Sequence, residues 1–290
     1  MSVVNWNTRD EMAGCLDSIL NQEGASCEII VVDNGSRDGS AEMVGNYYPQ
    51  VQLIANAENC GFARALNRAL KAARGRYIFA LNPDARIIGP DAMVKLVEFL
   101  DSEPKVGIAG IRVLNSDGSL QFSARRFPTL GAGIFRNTFL GRLFPKNRYV
   151  TQYLMTDWGH DEVRDVDWVS GAAMAIRREV LDGVGLLDER FFMYCEDVDI
   201  CYRARQGDWR VVYFPRAAVK HRIGASSDLA QARMLYQFHK SMWLLFGKHF
   251  ARDWPLYVRP LVMAGLAARG LYFITINAVQ RVIYGRGSRA

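Results

Sequence analysis

The first third of the chain alternates short apolar runs with stretches whose apolar residues recur at helical spacing. The apolar runs predict buried strands over residues 2–5, 28–33, 51–55 and 77–81. Between them, the spacing predicts helices that begin after Thr8, near Ser40 and at Phe62. Thr8 and Glu11 match a capping box, so we expect the Thr8 side chain to cap the first helix.

This alternation of strand and helix predicts an α/β fold with a doubly wound, mostly parallel sheet. No GxGxxG follows the first strand, and no GxxxxGK[ST] occurs in the chain. Glycine loops of these two kinds hold dinucleotide cofactors and the phosphates of P-loop enzymes, so both classes lose support. A diphosphate held by a metal ion remains open.

The elements become less regular in the middle of the chain. Pro90 begins a predicted helix, residues 106–113 form a predicted strand, and residues 116–118 a turn. Residues 130–165 predict a long loop or small insertion, because they are irregular and rich in glycine, arginine and aromatic residues. Residues 168–176 predict one further strand with small side chains at its centre.

The run Asn82-Pro83-Asp84 follows a strand that has the pattern of a central, parallel one. Such strands place ligands at their carboxyl ends, and a carboxylate there can hold a divalent cation. A turn cap explains Asp84 equally well on this pattern alone. His221, after a predicted strand over residues 209–214, is a candidate metal ligand, although a lone histidine more often has a structural role.

Carboxylates also begin a predicted helix at Glu196, Asp197 and Asp199, which ends at Gly207. Acids at a helix start are favoured by the helix dipole, so a structural role explains some of them. The apolar run over residues 191–194 comes directly before them, and carboxylates beside apolar groups have raised proton affinity. This is the property that a general base needs.

Composition limits the kinds of binding partner and the cellular compartment that we expect for the protein. The 290 residues are 50% hydrophobic and carry a net charge of +6, which suits an anionic ligand or membrane surface. Arginines interleaved with aromatics on one element are not evident, so nucleic acid is disfavoured. The five cysteines form no CxxC pair, and the first residues lack the pattern of a signal peptide. We therefore expect a cytoplasmic protein.

Six segments together resemble glycosyltransferase family 2 in their order and rough spacing. They are VVDNGSRDGS, ENCGFARALNRAL, ALNPDA, WVSGAAMAIRREVL, FFMYCEDVDICYRA and VKHRIGAS. Within that family the chain is most similar to bacterial rhamnosyltransferase-like members that build cell-surface polysaccharides. The resemblance implies a GT-A fold, a divalent cation such as Mg or Mn, and a nucleotide-diphosphosugar donor, dTDP- or UDP-linked.

The reaction implied by the resemblance is transfer of rhamnose or another hexose with inversion at the anomeric carbon. The acceptor would be a hydroxyl of a glycan or of a polyprenyl-diphosphate-linked precursor, at the cytoplasmic face of the plasma membrane. Asp33 matches the aspartate that hydrogen-bonds the donor's pyrimidine. The residues matched to donor binding are Asn5, Asn7, Asp33, Asn59, Gly61, Asn67 and Asn82.

The resemblance also assigns the metal ligands and the base. Asp84 matches the last carboxylate of the family's DxD motif, whose first acid is here Asn82, a neutral and weaker ligand. His221 matches a histidine that completes the metal shell in relatives. Asp197 matches the second acid of the ED motif, the general base, while Glu196 would orient the acceptor, with the reverse assignment left open.

The resemblance divides the chain into a GT-A catalytic domain over residues 1–227 and a helical tail over residues 228–290. Residues 1–115 would bind the nucleotide sugar, and residues 116–227 would bind the acceptor and carry the base. Arginines interrupt the apolar run over residues 256–284, so an amphipathic segment at the membrane surface is favoured over a spanning helix. Packing of the tail on the catalytic domain explains the pattern equally well.

Two other functions also fit carboxylates on an α/β sheet. A sugar nucleotidyltransferase would need a glycine-rich phosphate loop near the start, which the sequence lacks. A non-catalytic glycan-binding protein of the same fold would not need Asp84, Asp197 and His221 together.

Overall fold

A computed structural model describes residues 1–136, 138–222 and 231–284. Its strands, in chain order, are β1 (Ser2–Asn5), β2 (Ile30–Asp33), β3 (Gln52–Ala55), β4 (Tyr77–Leu81), β5 (Ala85–Ile88), β6 (Val106–Leu114), β7 (Ala124–Arg125), β8 (Arg164–Asp165), β9 (Trp168–Val169), β10 (Ala173–Arg177) and β11 (Arg210–His221). Its α-helices are α1 (Arg9–Leu20), α2 (Ser40–Tyr47), α3 (Phe62–Ala72), α4 (Ala92–Ser102), α5 (Leu130–Phe135), α6 (Phe139–Leu143), α7 (Arg148–Leu154), α8 (Arg178–Val184), α9 (Glu196–Gln206), α10 (Gln231–Leu245) and α11 (Val258–Tyr284).

Nine of these strands form one sheet in the order β3-β2-β1-β4-β10-β6-β11-β5, with β8 beside β11. The first four strands pair in parallel, as do β6 and β11. Strand β10 runs antiparallel between β4 and β6, and β5 runs antiparallel to β11. The predicted α/β class with a mostly parallel sheet is therefore confirmed.

The sheet is buried on both faces. Successive side chains of its strands point to opposite sides, so each strand contributes to the apolar cluster on either face. In β1, Val3 belongs to the apolar cluster beneath α1, α2 and α4, whereas Val4 belongs to the cluster with α3, α8 and α9. In β2, Val31 joins the first cluster, and Ile30 and Val32 join the second. Near-continuous apolar strands are typical of a sheet covered by helices on both sides.

The prediction of a single strand over residues 168–176 is wrong, because the structure divides this stretch into β9 and β10. Strand β9 pairs with β7 in a separate two-stranded sheet, and β10 joins the main sheet. Between them, the Ser170 backbone N–H donates to the Ser123 carbonyl at 2.8 Å. The small residues at this point therefore mark a change of sheet, which period-two patterning does not reveal.

Two further predictions are corrected at helix starts. Residues 130–165 contain the short helices α5, α6 and α7, whose first turns are capped by the side chains of Thr129, Thr138 and Asn147. The predicted capping box of α1 does not form. Instead, the Thr8 hydroxyl donates to the Asn5 side-chain carbonyl at 2.6 Å, so this hydroxyl joins the network at the end of β1.

Strand β11 extends seven residues beyond the predicted end at residue 214. Its antiparallel register with β5 places His221 opposite Ala85. Because Ala85 follows Asp84 directly, this register brings the carboxylate and the imidazole together across 137 residues of chain. A long-range strand pairing therefore builds the metal-ligand candidate pair.

Helix α10 and the short π-helix that follows it (Phe246–Phe250) pack on the part of the chain that precedes residue 223. The Ser241 hydroxyl donates to the Met193 carbonyl at 2.7 Å, and Lys248 forms ion pairs with Asp188 and Asp199. Helices α10 and α11 also contact each other.

The predicted domain boundary between residues 227 and 228 lies outside the described residues. Among the described helices, no stretch is both long and apolar enough to cross a bilayer.

Candidate active site

A cavity of about 730 Å³ opens at the carboxyl ends of β1 and β4 and extends to α10 and α11. Carboxyl ends of parallel strands are where open α/β folds bind ligands. Six of the residues that the sequence nominated line it, namely Asn59, Asn82, Asp84, Glu196, Asp197 and His221. The cavity therefore gathers the predicted metal ligands and the predicted base from three separate segments.

Asp84 and His221 form the pair that could hold a cation. The His221 Nε2 lies 3.2 Å from the Asp84 Oδ1, and both side chains are largely buried. That carboxylate oxygen has no hydrogen-bond donor among the described residues. Two ligands on adjacent octahedral positions of a Mg²⁺-sized ion lie about 3 Å apart, so the pair fits one edge of such a shell.

The tautomer of His221 is set by Gln121. The Gln121 side-chain carbonyl lies 3.0 Å from the His221 Nδ1, and the Gln121 amide donates to the His221 backbone carbonyl at 2.8 Å. Because a carbonyl can only accept, Nδ1 carries the proton and the Nε2 lone pair faces Asp84. Asn82 donates its amide to that lone pair at 3.3 Å. In this tautomer the Nε2 lone pair would be available to a cation held together with Asp84.

Protein ligands for a cation are few. No group of three or more His, Cys, Asp or Glu side chains with metal-binding geometry occurs within the described residues. Mg²⁺ and Mn²⁺ in nucleotide sites commonly take one or two protein ligands, and phosphates and waters supply the remainder. Two protein ligands thus suit a site that a diphosphate completes.

A turn of left-handed backbone conformation places Glu196 and Asp197, the acidic pair, at the cavity. Tyr194 and Cys195 have φ values of 69° and 68°, which are unusual for residues with side chains and concentrate at functional sites. Helix α9 then begins at Glu196, with Asp197 in its first turn. The turn thereby places both carboxylates at the amino end of a helix that faces the cavity.

The two carboxylates have different surroundings. Burial raises the pKa of Asp197, but N–H groups of Gly171 (3.1 Å) and Val198 (2.8 Å) and the Arg125 charge oppose this and favour the anion. Burial, followed by the neighbouring Asp197 charge, raises the pKa of Glu196 well above its usual value. The Glu196 Oε2 accepts no hydrogen bond from the described residues. Asp197 is therefore the better candidate for an ionised base.

The predicted nucleoside residues form a buried network at the ends of β1 and β2. The Asn5 amide donates to the Asp33 Oδ1 at 2.8 Å and to the Ser36 hydroxyl at 3.0 Å. Ser36 N–H donates to the Asp33 Oδ2 at 3.0 Å, and the Asn7 side-chain Oδ1 accepts from Arg37 N–H at 2.7 Å. This network fixes the first loop, and none of its predicted members lines the cavity described above.

Beside this network, Asn34 and Asn59 do line the cavity. The Asn34 amide donates to the Asn59 Oδ1 at 3.0 Å, and Gly61 N–H donates to the same oxygen. Gly61 has a φ of 89°, and a Cβ there would lie 2.6 Å from the Phe192 carbonyl oxygen. Gly61 thus permits a close approach of backbones. Sequence reasoning missed Asn34, although it directly follows Asp33 at a strand end.

Asn67 does not line the cavity, and its side chain bonds to the segment before the acidic pair. Its side chain accepts from Leu187 N–H at 3.0 Å and donates to the Leu187 carbonyl at 2.9 Å. It also donates to the Glu189 carboxylate at 3.1 Å. These bonds join α3 to the segment before the acidic pair.

Gln121 and Arg125 are further site residues that the sequence did not nominate, since both lie in a stretch without periodic pattern.

The sequence and the fold were then compared with known proteins. The sequence model of Glycosyl transferase family 2 matches residues 2–183, which is more than half of the chain. The chain belongs to glycosyl transferase family 2. This family 2 enzyme is 32% identical over 253 residues to the N-acetylglucosaminyl-diphospho-decaprenol L-rhamnosyltransferase of Mycobacterium tuberculosis, covering 83% of this chain and 81% of that protein.

Solved structures agree on the fold. The family 2 enzyme matches the mannosyltransferase PcManGT of Pyrobaculum calidifontis, solved with GDP-Man and Mn2+, with a TM-score of 0.58 and 18% identity over 97% of this chain and 79% of that one. It also matches S. aureus TarS, with a TM-score of 0.57 and 17% identity over 92% and 42% of the two chains. The predicted GT-A fold and glycosyltransferase class are confirmed.

Proposed function

We propose that this family 2 enzyme transfers a hexose, with rhamnose as the first candidate, from a dTDP- or UDP-linked donor with inversion. The observation that carries the proposal is the placement of Asp197 in the same cavity as the Asp84–His221 pair. The same cavity thus offers a base and a site for a metal-bound diphosphate. An inverting displacement needs these two groups on opposite sides of the anomeric carbon.

In the proposed reaction, Asp197 accepts the proton of an acceptor hydroxyl while that oxygen attacks the anomeric carbon. The Gly171 and Val198 N–H groups hold the Asp197 carboxylate in position. Glu196, whose raised pKa favours the protonated form, can donate a hydrogen bond to the acceptor. When bound at Asp84 and His221, a divalent cation would neutralise charge on the leaving diphosphate.

For the acceptor, we propose a polyprenyl-diphosphate-linked glycan. The mycobacterial relative is named for an N-acetylglucosaminyl-diphospho-decaprenol substrate, and it aligns with most of this chain. The cavity also extends from the acidic pair to apolar side chains of α10 and α11. An acceptor with an apolar chain next to its sugar diphosphate suits such a cavity.

We further propose that the enzyme contacts the membrane peripherally, where such an acceptor resides. Large apolar side chains are exposed on α6 and α11, for example Phe139 (66%), Leu261 (67%) and Leu271 (67%). Exposed apolar residues on amphipathic helices bind the interfacial region of a bilayer. Flotation with anionic liposomes tests this: the double variant Leu261→Gln/Leu271→Gln should remain unbound where the parent floats, and equal flotation of both proteins contradicts the proposal.

The test of the activity uses purified enzyme, Mn2+, a set of nucleotide sugars and a synthetic GlcNAc-diphospho-prenyl acceptor. We expect transfer from one donor class, loss of transfer in excess EDTA and its recovery with Mn2+. The anomeric configuration of the product, measured by NMR, should be opposite to that of the donor. Retention of configuration would contradict the role given to Asp197.

A further inference from the structure

A cluster of three arginines lines the cavity on the side of the acidic pair. Arg125 lies at the end of β7, Arg136 follows α5, and Arg269 belongs to α11. Arg125 and Arg136 both stack on the Tyr153 ring, at 5.8 and 5.3 Å, and Arg269 donates to the Arg136 carbonyl at 3.2 Å. Three distant segments of the chain therefore bring their cations to one place.

These cations have no carboxylate partner among the described residues. Their contacts are backbone carbonyls, aromatic rings, the Tyr153 hydroxyl, His239 and the Met242 sulfur, and the buried Arg269 Nε has no partner among the described residues. Burial lowers the pKa of the Arg136 and Arg269 guanidiniums, and mutual repulsion adds to this effect. Arg136 and Arg269 are therefore desolvated without a carboxylate partner among the described residues, which is costly unless an anionic ligand completes them.

The anion is not expected to be the donor diphosphate. The candidate donor site is built from the ends of β1 to β4 and from the Asp84–His221 pair, whereas the three arginines come from β7, from the residue after α5 and from α11. Arg125 is close enough to Asp197 for its charge to lower the pKa of that carboxyl. The cluster thus lies beside the base, where the acceptor must bind.

An apolar wall adjoins the cluster. It consists of side chains from α10, the π-helix after it, and α11, namely Phe238, Met242, Leu245, Phe246, Val262 and Leu266. A ligand that combines a diphosphate with a long hydrocarbon chain would satisfy both surfaces, because guanidinium groups bind phosphate in paired hydrogen bonds. A free nucleotide or a bare sugar would use one of them at most.

We propose that Arg125, Arg136 and Arg269 bind the diphosphate of a prenyl-diphosphate-linked acceptor and that its prenyl chain lies along the apolar wall. The inference rests on the proposed function for the identity of the acceptor. It adds a binding site whose arginines orient the acceptor sugar towards Asp197.

Binding of farnesyl diphosphate to the full-length protein tests the site without any need for turnover. EDTA is present, so that a metal-held diphosphate does not contribute. The parent should bind farnesyl diphosphate at least about tenfold more tightly than farnesol or inorganic diphosphate. Arg125→Gln, Arg136→Gln and Arg269→Gln should each weaken that binding by about tenfold or more. Arg252→Gln, which changes an exposed arginine after α10, serves as the matched control and should bind as the parent does.

Nucleoside diphosphate binding in Mn2+ distinguishes the possible failures. In the three variants it should equal that of the parent, which also shows that they are folded. If it falls with farnesyl diphosphate binding, the cluster serves the donor and the inference is wrong. Unchanged farnesyl diphosphate binding in all three variants also overturns it. If the predicted binding pattern holds but no sugar is transferred to any prenyl-linked acceptor, the proposed function fails while the site stands.

Discussion

Replacement of Asp199 by asparagine is expected to loosen the C-terminal helices from the catalytic part of the enzyme. The Asp199 carboxylate is fully buried on α9 and accepts from His249 at 2.6 Å. It also pairs with Lys248 at 2.6 Å and with Arg203 at 2.9 Å. One carboxylate therefore joins the helix that carries the acidic pair to the π-helix that follows α10.

The size of the effect follows from what remains after the change. Removal of one partner from a buried ion pair costs about 3–5 kcal/mol of unfolding free energy, because charges are left buried and unpaired. Lys248 keeps its pair with Asp188 at 2.7 Å, and Arg203 keeps the Leu186 carbonyl at 2.8 Å. Both contacts reduce the loss, so we expect about 3 kcal/mol.

Urea unfolding at pH 7, followed by tryptophan fluorescence, measures this loss, and hydrogen exchange of residues 241–250 locates it. Asp91→Asn is the matched control, because Asp91 and Lys95 form an exposed helical pair of the same spacing. That control should change stability little. An Asp199→Asn protein that is as stable as the control, with unchanged exchange, would refute the structural role of the tail.

The pH dependence has a defined sign. Although burial opposes it, the hydrogen bond from His249 and the charges of Arg203 and Lys248 hold the pKa of Asp199 below its usual value. The stabilisation is therefore present above the unfolded pKa of about 4 and is lost as the pH falls through the lowered value. Asp199→Asn should remove this part of the acid sensitivity.

Three further outcomes follow from the site. Asn67→Ala should lower the unfolding free energy by about 1–3 kcal/mol, because Leu187 N–H is left unsatisfied, while nucleoside diphosphate affinity measured by calorimetry stays constant. A fall in affinity at unchanged stability would instead support the predicted role of Asn67 in donor binding. Gln121→Leu should weaken Mn2+ binding about 10- to 100-fold, measured by electron paramagnetic resonance with nucleoside diphosphate present. Equal affinity would show that Gln121 does not orient His221. The pKa read from the acid limb of the profile of kcat/KM against pH should lie above the usual range of an aspartate, because burial raises the pKa of Asp197 and the base acts in its ionised form. A limb at or below the usual aspartate range contradicts the assignment.

The parallel half of the fold was predictable from sequence because its strands are apolar without interruption and its helices carry clear stripes. The four predicted strands up to Leu81 all occur, with ends that differ by at most two residues. The change of sheet at Gly171 was not predictable, because it depends on which strands are neighbours in space. The helices within residues 130–165 were also missed, although Thr129, Thr138 and Asn147 are residues that favour helix starts.

The candidate site shows the same division. Asp84 and Asp197 could be nominated because each follows an apolar run at the boundary of an element. The contact of Asp84 with His221 depends on the pairing of β5 with β11, and motif resemblance rather than periodicity pointed to it. Gln121 and Arg125 could not be predicted from the sequence, because their roles depend on contacts with residues that are distant in sequence.

The central claim is that Asp197 removes the proton of the acceptor, and single-turnover transfer by Asp197→Asn and Glu196→Gln tests it most directly. Both variants keep the shape of the side chain, and donor binding in Mn2+ should match the parent in each. We predict that Asp197→Asn abolishes transfer to the limit of detection, whereas Glu196→Gln retains measurable transfer. Near-normal transfer by Asp197→Asn together with loss in Glu196→Gln would contradict the account.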